Sequence, residues 1–187
     1  MAFIDDQIAR IPDSSVRIVY PEGREPKILQ AAARITAAGI GTPILLGDPN
    51  EIRSAAAETG ISLEGMELIC PAESPKLDAY AELFSELSEL PASVGRLMLK
   101  KPLYFGAMTV RAGDGDCMIA GLTIETDEVV AANKLIVGMA EGVGTPSCIS
   151  IIDSPCFTGS QGGLLALSDT AINIDPTADE LADIAIS

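Results

Sequence analysis

The sequence contains no histidine and no tryptophan, and aromatic side chains make up only 4% of its 187 residues. The missing histidine has a chemical consequence. Ser-His-Asp and Cys-His catalysis cannot be completed within the chain, so any general acid–base step falls to carboxylates, thiols, lysine or tyrosine. Positive charge is scarce too: 12 Lys and Arg against 27 Asp and Glu leave a net charge of −15. Such a surface repels a phosphodiester backbone, because nucleic-acid binding depends on cations that displace counterions, and no nucleic-acid partner is expected. An anionic small molecule would have to be held by backbone N–H groups or by a few placed cations. The cysteines Cys70, Cys117, Cys148 and Cys156 form no Cys-x-x-Cys pair. Scattered thiols without histidine argue against a zinc site, so no metal is expected, and the four read as free, buried cysteines of a reducing compartment. No apolar run is long enough to span a bilayer, and the opening MAFIDDQIARIP is acidic and amphipathic rather than a secretory leader. The expectation is a cytoplasmic protein with no membrane partner.

What is present is a globular composition, 48% hydrophobic, with a core expected from Ala, Ile, Leu and Val. Short β-rich runs alternate with helical periodicity. VRIVYPEG (16–23) predicts a strand and a Pro-Gly break. EPKILQAAARITAAGI (25–40) predicts a helix with Ile28, Ala32, Ile35 and Ala38 near one face and a stop at Gly39. TPILLGD is the next strand. DPNEIRSAAAETG follows as a helix with Asp48 as N-cap, Pro49 at its first position and Gly60 at its end. GMELICP predicts a third strand, and SPKLDAYAELFSELSEL a helix burying Leu77, Tyr80, Leu83, Phe84 and Leu87. YFGAMTVRAG fits either a strand or a buried helix. DCMIAGL predicts an apolar strand, ETDEVVAANKLIVG a helix, and PSCISIID another buried strand. FTGSQGG turns into LLALSDTAI, giving an antiparallel hairpin expected at the sheet's edge. Thr177 and Glu180 in DPTADELADIAIS form a capping-box pattern at the start of a last helix. Strands alternating with helices imply βαβ units, hence an α/β fold with a mainly parallel sheet. No linker separates domains, so residues 1–187 are expected to form a single domain.

Few local patterns carry chemistry. Asp114, Asp116 and Glu125 fall at positions 1, 3 and 12 of a calcium-loop register, but Met118 and Ile119 occupy the positions that need a ligand and a glycine. The Gly-rich FTGSQGG lacks the following helix and the lysine of a phosphate loop. AGLTIETDEV is more informative. A strand ends at Gly121 and a helix starts near Glu125–Thr126–Asp127, which in parallel α/β sheets is a usual ligand site. An ordinary N-cap by Thr123 or Thr126 explains the same residues, and Glu125 would itself occupy the positive end of the helix.

With these segments placed, the chain resembles the phosphate acetyl/butyryl transferase family, enzymes that exchange the CoA of an acyl-CoA for inorganic phosphate. The matching pieces are PEG (21–23), AAARITAAGIGTPILLGDPNEI (31–52), YFGAMTVRAGDGDCMIAGL (104–122), TDEVVAA (126–132) and SDTAINIDPTADELADIAI (168–186). The resemblance implies a three-layer αβα architecture like that of the isocitrate/isopropylmalate dehydrogenases, here lacking the C-terminal half. It implies CoA, acetyl-CoA or another acyl-CoA, or an acyl phosphate, as substrate rather than as a bound cofactor. Gly121, Glu125, Thr126 and Asn173 are the residues expected at that substrate. The family's basic segment before YFG is replaced by SELSELPASVG (85–95), without a cation until Arg96. Ile124, Glu125 and Ala131 stand where the family has His, Ser and Arg. No catalytic residue is assigned within 1–187, because the family's Asn-Asp-Leu-Ser-Arg-Gly segment belongs to the C-terminal half. The expected function is that of a phosphate acyltransferase-like protein. The alternative is a non-catalytic interaction or regulatory module that kept the fold. Either way an apolar patch should be exposed, so a homo-oligomer or a C-terminal-half partner is expected.

Overall fold

The structure is a computed structural model that describes residues 2–11, 16–154, 156–160 and 162–186. Met1 and Pro12 of the opening segment, Gln161 of the Gly-rich turn and the terminal Ser187 lie outside the described residues. Two compact units are present, Asp5–Gly138 and Met139–Ser187 with Met1–Ile4.

The larger unit carries four parallel strands in the order β3-β2-β1-β4: β1 (Arg17–Tyr20), β2 (Thr42–Leu46), β3 (Glu67–Ile69) and β4 (Cys117–Met118). The period of two along each strand divides the side chains between two cores. Val19, Ile44 and Leu46 face one way and pack with Tyr80, Phe84, Leu99, Phe105 and Met108. Those partners come from α4 (Leu77–Ser88), the α5–α6 junction and α6 (Pro102–Arg111), with Ile136 added from α7 (Thr126–Ile136) and the partly buried Ala92 and Met98 of α5 (Ala92–Met98) packed against them. Ile18, Tyr20 and Leu45 face the other way, onto Ile28, Leu29 and Ala32 of α2 (Pro26–Ala37) and Ile52 and Ala56 of α3 (Pro49–Thr59). Helices therefore cover both faces of a parallel sheet, giving the expected three layers.

Local signals place α3 accurately. Asp48 accepts a hydrogen bond from the Asn50 N–H at 2.7 Å, Pro49 opens α3, and Gly60 closes it in the left-handed region at φ 68°. The segment left open, YFGAMTVRAG, is helical as α6, with Leu103, Phe105, Gly106, Ala107, Met108 and Thr109 all buried. A helix buried nearly all round shows no amphipathic period, which is why its sequence was ambiguous. Helices α1 (Ala2–Ala9) and α5 were not anticipated.

Four expectations need correction. The strand DCMIAGL is only two residues long. Ile119 N–H still reaches the Val19 carbonyl at 2.9 Å, but Gly121 then turns at φ 109° and the following N–H groups leave the ladder for the side chain of Glu22. Leu87 is exposed although it lies on the Tyr80 side of α4, because it sits in the last turn, where the helix ends at Ser88. The cysteines are free but not buried: Cys117 and Cys156 are exposed, Cys70 and Cys148 partly so. The PSCISIID strand is not buried, and its hairpin does not extend the parallel sheet.

That hairpin belongs to the smaller unit. β5 (Ile149–Asp153) and β6 (Leu164–Ser168) form a separate two-stranded antiparallel sheet with Ile149 opposite Ser168 and Asp153 opposite Leu164. Paired only with each other, they leave Ile149, Ile151 and Leu167 exposed at 66%, 51% and 44%. The last helix, α8 (Ala178–Ile186), starts as expected: Thr177 N–H donates to Glu180 Oε2 at 2.7 Å, and Glu180 N–H donates back to Thr177 Oγ1 at 3.3 Å.

Candidate functional site

In open α/β sheets the ligand crevice opens at the carboxyl ends of the strands, where the strand order reverses. Here the chain steps from β1 through β2 to β3 on one side and then places β4 on the other side of β1, so the reversal falls between β1 and β4. A cleft of about 460 Å³ opens there, lined among others by Pro21 to Glu25 after β1, Gly47 and Asp48 after β2, Lys101 to Leu103, and Thr123, Ile124 and Glu128.

The PEG segment leaving β1 is built for this place. Gly23 donates its N–H to the Leu46 carbonyl at 3.3 Å, and a Cβ at this position would stand 2.7 Å from the same oxygen. Only glycine lets the turn press against the end of β2. The turn sends Glu22 toward the β4–α7 loop, where the side chain is 6% exposed. Its Oε2 accepts the N–H groups of Gly121 at 2.9 Å and Leu122 at 3.1 Å. Its Oε1 accepts the Thr123 N–H, the Thr123 hydroxyl at 2.7 Å and the Ile124 N–H at 3.2 Å. Burial pushes the Glu22 carboxyl up, but the bonds from Thr123, Leu122 and Gly121 outweigh it and hold the pKa below the ordinary range.

Four helix starts meet at this cleft, and they differ in charge. Glu25 precedes α2, Asp48 and Glu51 begin α3, and Asp127 and Glu128 sit in the first turn of α7. α6 alone among them carries a cation at its N-cap, Lys101, with no acid in its first turn. The Lys101 ammonium lies 5.8 Å from the centre of the Tyr104 ring. The other cation, Arg24, is held by Glu51 at 3.1 Å and Glu25 at 3.9 Å. Electrostatically, the α6 side of the cleft favours an anion and the α3 side does not.

The smaller unit has a polar hub of its own at Asp169. Its Oδ1 accepts the Cys148 thiol at 2.7 Å and the N–H groups of Ala171 and Ile172 at 3.1 and 3.2 Å. Its Oδ2 accepts the Asn173 N–H and side-chain amide, both at 2.6 Å. The Cys148 bond and then those from the 171–173 backbone hold the Asp169 carboxyl well below the usual range, against a smaller opposing effect of burial.

A family model described as phosphate acetyl/butaryl transferase matches residues 2–187. The chain belongs to this family. Among its relatives is the phosphate acetyltransferase of Thermoanaerobacterium thermosaccharolyticum, 33% identical over 189 residues, covering 100% of this chain and 57% of the relative. That of Clostridium acetobutylicum is 34% identical over 174 residues, covering 91% and 52%. A phosphotransacetylase structure from Streptococcus pyogenes superposes with a TM-score of 0.89 at 30% identity, covering 99% of this chain and 56% of that one. EutD phosphotransacetylase from Staphylococcus aureus gives 0.87 at 28%, covering 99% and 55%. The chain thus spans about half the length of these relatives, and its α/β fold is the one this part of a phosphotransacetylase has.

Against this background the sequence-based residues separate. Gly121 lies in the loop held by Glu22. Glu125 is the N-cap of α7 but makes no side-chain cap bond, and Thr126 opens the helix. Neither lines the cleft, whereas their neighbours Thr123, Ile124 and Glu128 do. Thr123 is not a cap, since its hydroxyl donates to Glu22. Asn173 belongs to the smaller unit, where its amide also donates to the Pro146 carbonyl at 2.8 Å. Glu22, Arg24 and Lys101 carry no distinguishing signal in the sequence, although PEG is among the matching pieces. A lone glutamate after a strand reads as surface charge until its partners are known. Asp114 and Asp116 serve the fold: Asp114 binds Tyr80 and Lys76, and Asp116 accepts the Arg17 N–H at 2.7 Å. Among the described residues no cluster of His, Cys, Asp and Glu could hold a metal ion.

Proposed function

We propose that residues 1–187 form part of a phosphate acyltransferase that interconverts an acyl-CoA and phosphate with an acyl phosphate and CoA, and that the β1–β4 cleft contributes to binding these substrates. The observation that carries this reading is the family match over the whole chain, joined to a cleft at the crevice position of its parallel sheet. In this reaction the CoA thiolate attacks the acyl phosphate carbonyl, the carbonyl oxygen gains charge, and phosphate leaves. Catalysis needs a base for the thiol and cations or N–H donors for the phosphate and oxyanion. Lys101 and the start of α6 suit an anionic substrate group, while the acids of α2, α3 and α7 suit the polar remainder. Gly121, in the loop wall with Thr123, and Glu125 and Thr126, next in sequence to the cleft-lining Ile124, remain proposed substrate-binding residues of the larger unit, and Asn173 remains one proposed for the smaller unit by itself. No catalytic residue is assigned within 1–187. Family membership weighs against a non-catalytic interaction module.

The four free cysteines support a reducing, cytoplasmic setting, and no helix among the described residues is long and apolar enough to cross a membrane. The exposed Ile149, Ile151 and Leu167 support a homo-oligomer or association with a C-terminal half.

Titration calorimetry of the chain with CoA, acetyl-CoA and acetyl phosphate tests the reading. Binding of at least one, weakened by Lys101→Ala, is the expected result, with no thioester formed from acetyl phosphate and CoA. Absence of heat with all three ligands would overturn it, and turnover by residues 1–187 alone would overturn the statement that they hold no catalytic group.

A further inference from the structure

Glu22 is a charged group in a place where charge is costly, and it persists there because every part of its carboxylate is used. The four N–H groups that reach it come from consecutive residues, 121 to 124. Successive N–H groups that converge in this way form a concavity with the chemistry to hold a phosphate or carboxylate. It sits at the carboxyl end of β4, just before α7, the position where such sheets commonly bind anions. The occupant here is a side chain from the neighbouring strand. Two glycines set up the arrangement. Gly23 lets the β1 exit press against Leu46, and Gly121, at φ 109°, turns the β4 exit so that the next N–H groups face inward.

We propose that Glu22 is the positioning residue of the cleft: its carboxylate fills the anion-binding concavity of residues 121–124, fixes the β4–α7 loop as a wall, and denies that concavity to a phosphate group of the substrate. The substrate's anion is thereby directed to the Lys101 side. This rests on the cleft being the substrate site proposed above. Without the carboxylate, four adjacent donors lose their shared acceptor, the loop opens to water, and an external anion can enter.

The test uses amide exchange and chemical shifts of residues 121–124 in the whole chain. In the wild type these four amides should exchange slowly, and inorganic phosphate should leave their shifts unchanged. In Glu22→Ala, exchange should speed up at least about tenfold, as expected for loss of charge-assisted bonds. Inorganic phosphate or formate should then shift the same four amides, and formate should restore slow exchange, an effect that a packing defect alone would not show. Glu22→Gln keeps the volume but turns an NH₂ group toward N–H donors, so it should also lose protection, and it serves if Glu22→Ala does not fold. Should neither variant fold, the wild type decides: the Glu22 carboxyl must titrate below the ordinary value of about 4.3 with the four amides shifting alongside it. The proposal is overturned if phosphate shifts these amides equally in wild type and Glu22→Ala, if neither anion affects them in folded Glu22→Ala, if Glu22→Gln keeps their slow exchange, or if the Glu22 carboxyl titrates normally. None of these measurements uses CoA or turnover, so their failure and failure of the transferase proposal are separately visible.

Discussion

The hydroxyl of Tyr80 donates a 2.6 Å hydrogen bond to Asp114 Oδ2, tying helix α4 to the loop that enters β4. The other oxygen of Asp114 meets Lys76 Nζ at 2.5 Å. One carboxylate thus joins two points of α4's first turn region to the amino end of the sheet, opposite the cleft. Tyr80 is buried and its ring lies 5.2 Å from that of Phe105, so the hydroxyl has a fixed position.

Replacing Tyr80 with Phe keeps the ring packing and removes the bond. The expected cost is about 1–2 kcal/mol at neutral pH, read from urea unfolding. The pH dependence follows from Asp114, whose pKa is lowered by the bond to Lys76 first and by Tyr80 next. A depressed carboxylate contributes stability above its unfolded pKa of about 3.9, and that contribution is lost as pH falls through the folded value. The difference between wild type and Tyr80→Phe should therefore be complete at pH 7 and shrink below about pH 4. A difference that stays constant down to the acid transition would show that the hydroxyl's bond to a charged Asp114 is not its source.

Gly23→Ala places a Cβ 2.7 Å from the Leu46 carbonyl oxygen and 3.0 Å from its nitrogen, both backbone atoms that cannot swing away. A loss of about 1–3 kcal/mol is expected, as for other overpacked sites. Gly39→Ala is the control. No atom lies within 4 Å of its added Cβ, so only the left-handed φ of 63° opposes it, at about 1 kcal/mol. Equal midpoints for the two variants in chemical denaturation would refute the packing argument at the β1 exit.

In the smaller unit, Asp169→Asn keeps the size of the side chain but exchanges one acceptor oxygen for an NH₂ group facing donors. The turn 169–173 should loosen, seen as faster amide exchange at Ala171, Ile172 and Asn173 and as earlier proteolytic cleavage near it. Because the Asp169 carboxyl is held well below its usual range, the wild-type turn should keep its protection at pH 7 and lose it only in strong acid. Unchanged protection in Asp169→Asn would mean that Asn173 and Cys148 do not depend on the carboxylate.

Much of the larger unit was legible because local rules and tertiary structure agree there. Asp48, Pro49 and Gly60 mark α3 by capping alone, and in the smaller unit Thr177 with Glu180 marks the start of α8 in the same way. β1 and β2 read as strands because they are apolar on both faces, as buried parallel strands are. α6 was not legible for a related reason: a helix buried nearly all round loses its period. β4 was read too long because DCMIAGL is apolar throughout, and only the turn at Gly121 and the pull of Glu22 end the ladder after Met118. The exposed face of the β5–β6 hairpin was misread in the same way, since apolar composition does not say which residues have found a partner.

The sequence by itself determined the α/β class, the helix boundaries set by caps and glycines, the lack of any histidine-based chemistry, and the resemblance to a family. Each is a property of composition or of residues a few positions apart. Only the tertiary structure decided that Glu22 closes the β4–α7 loop, about a hundred residues away, that Asp114 is bound to Tyr80 and Lys76 rather than to a metal ion, and that Arg24 and Lys101 face one cleft. The physical reason is that an isolated charge in a sequence reads as solvated surface. Whether it is buried depends on donors that only the folded sheet brings within hydrogen-bond distance.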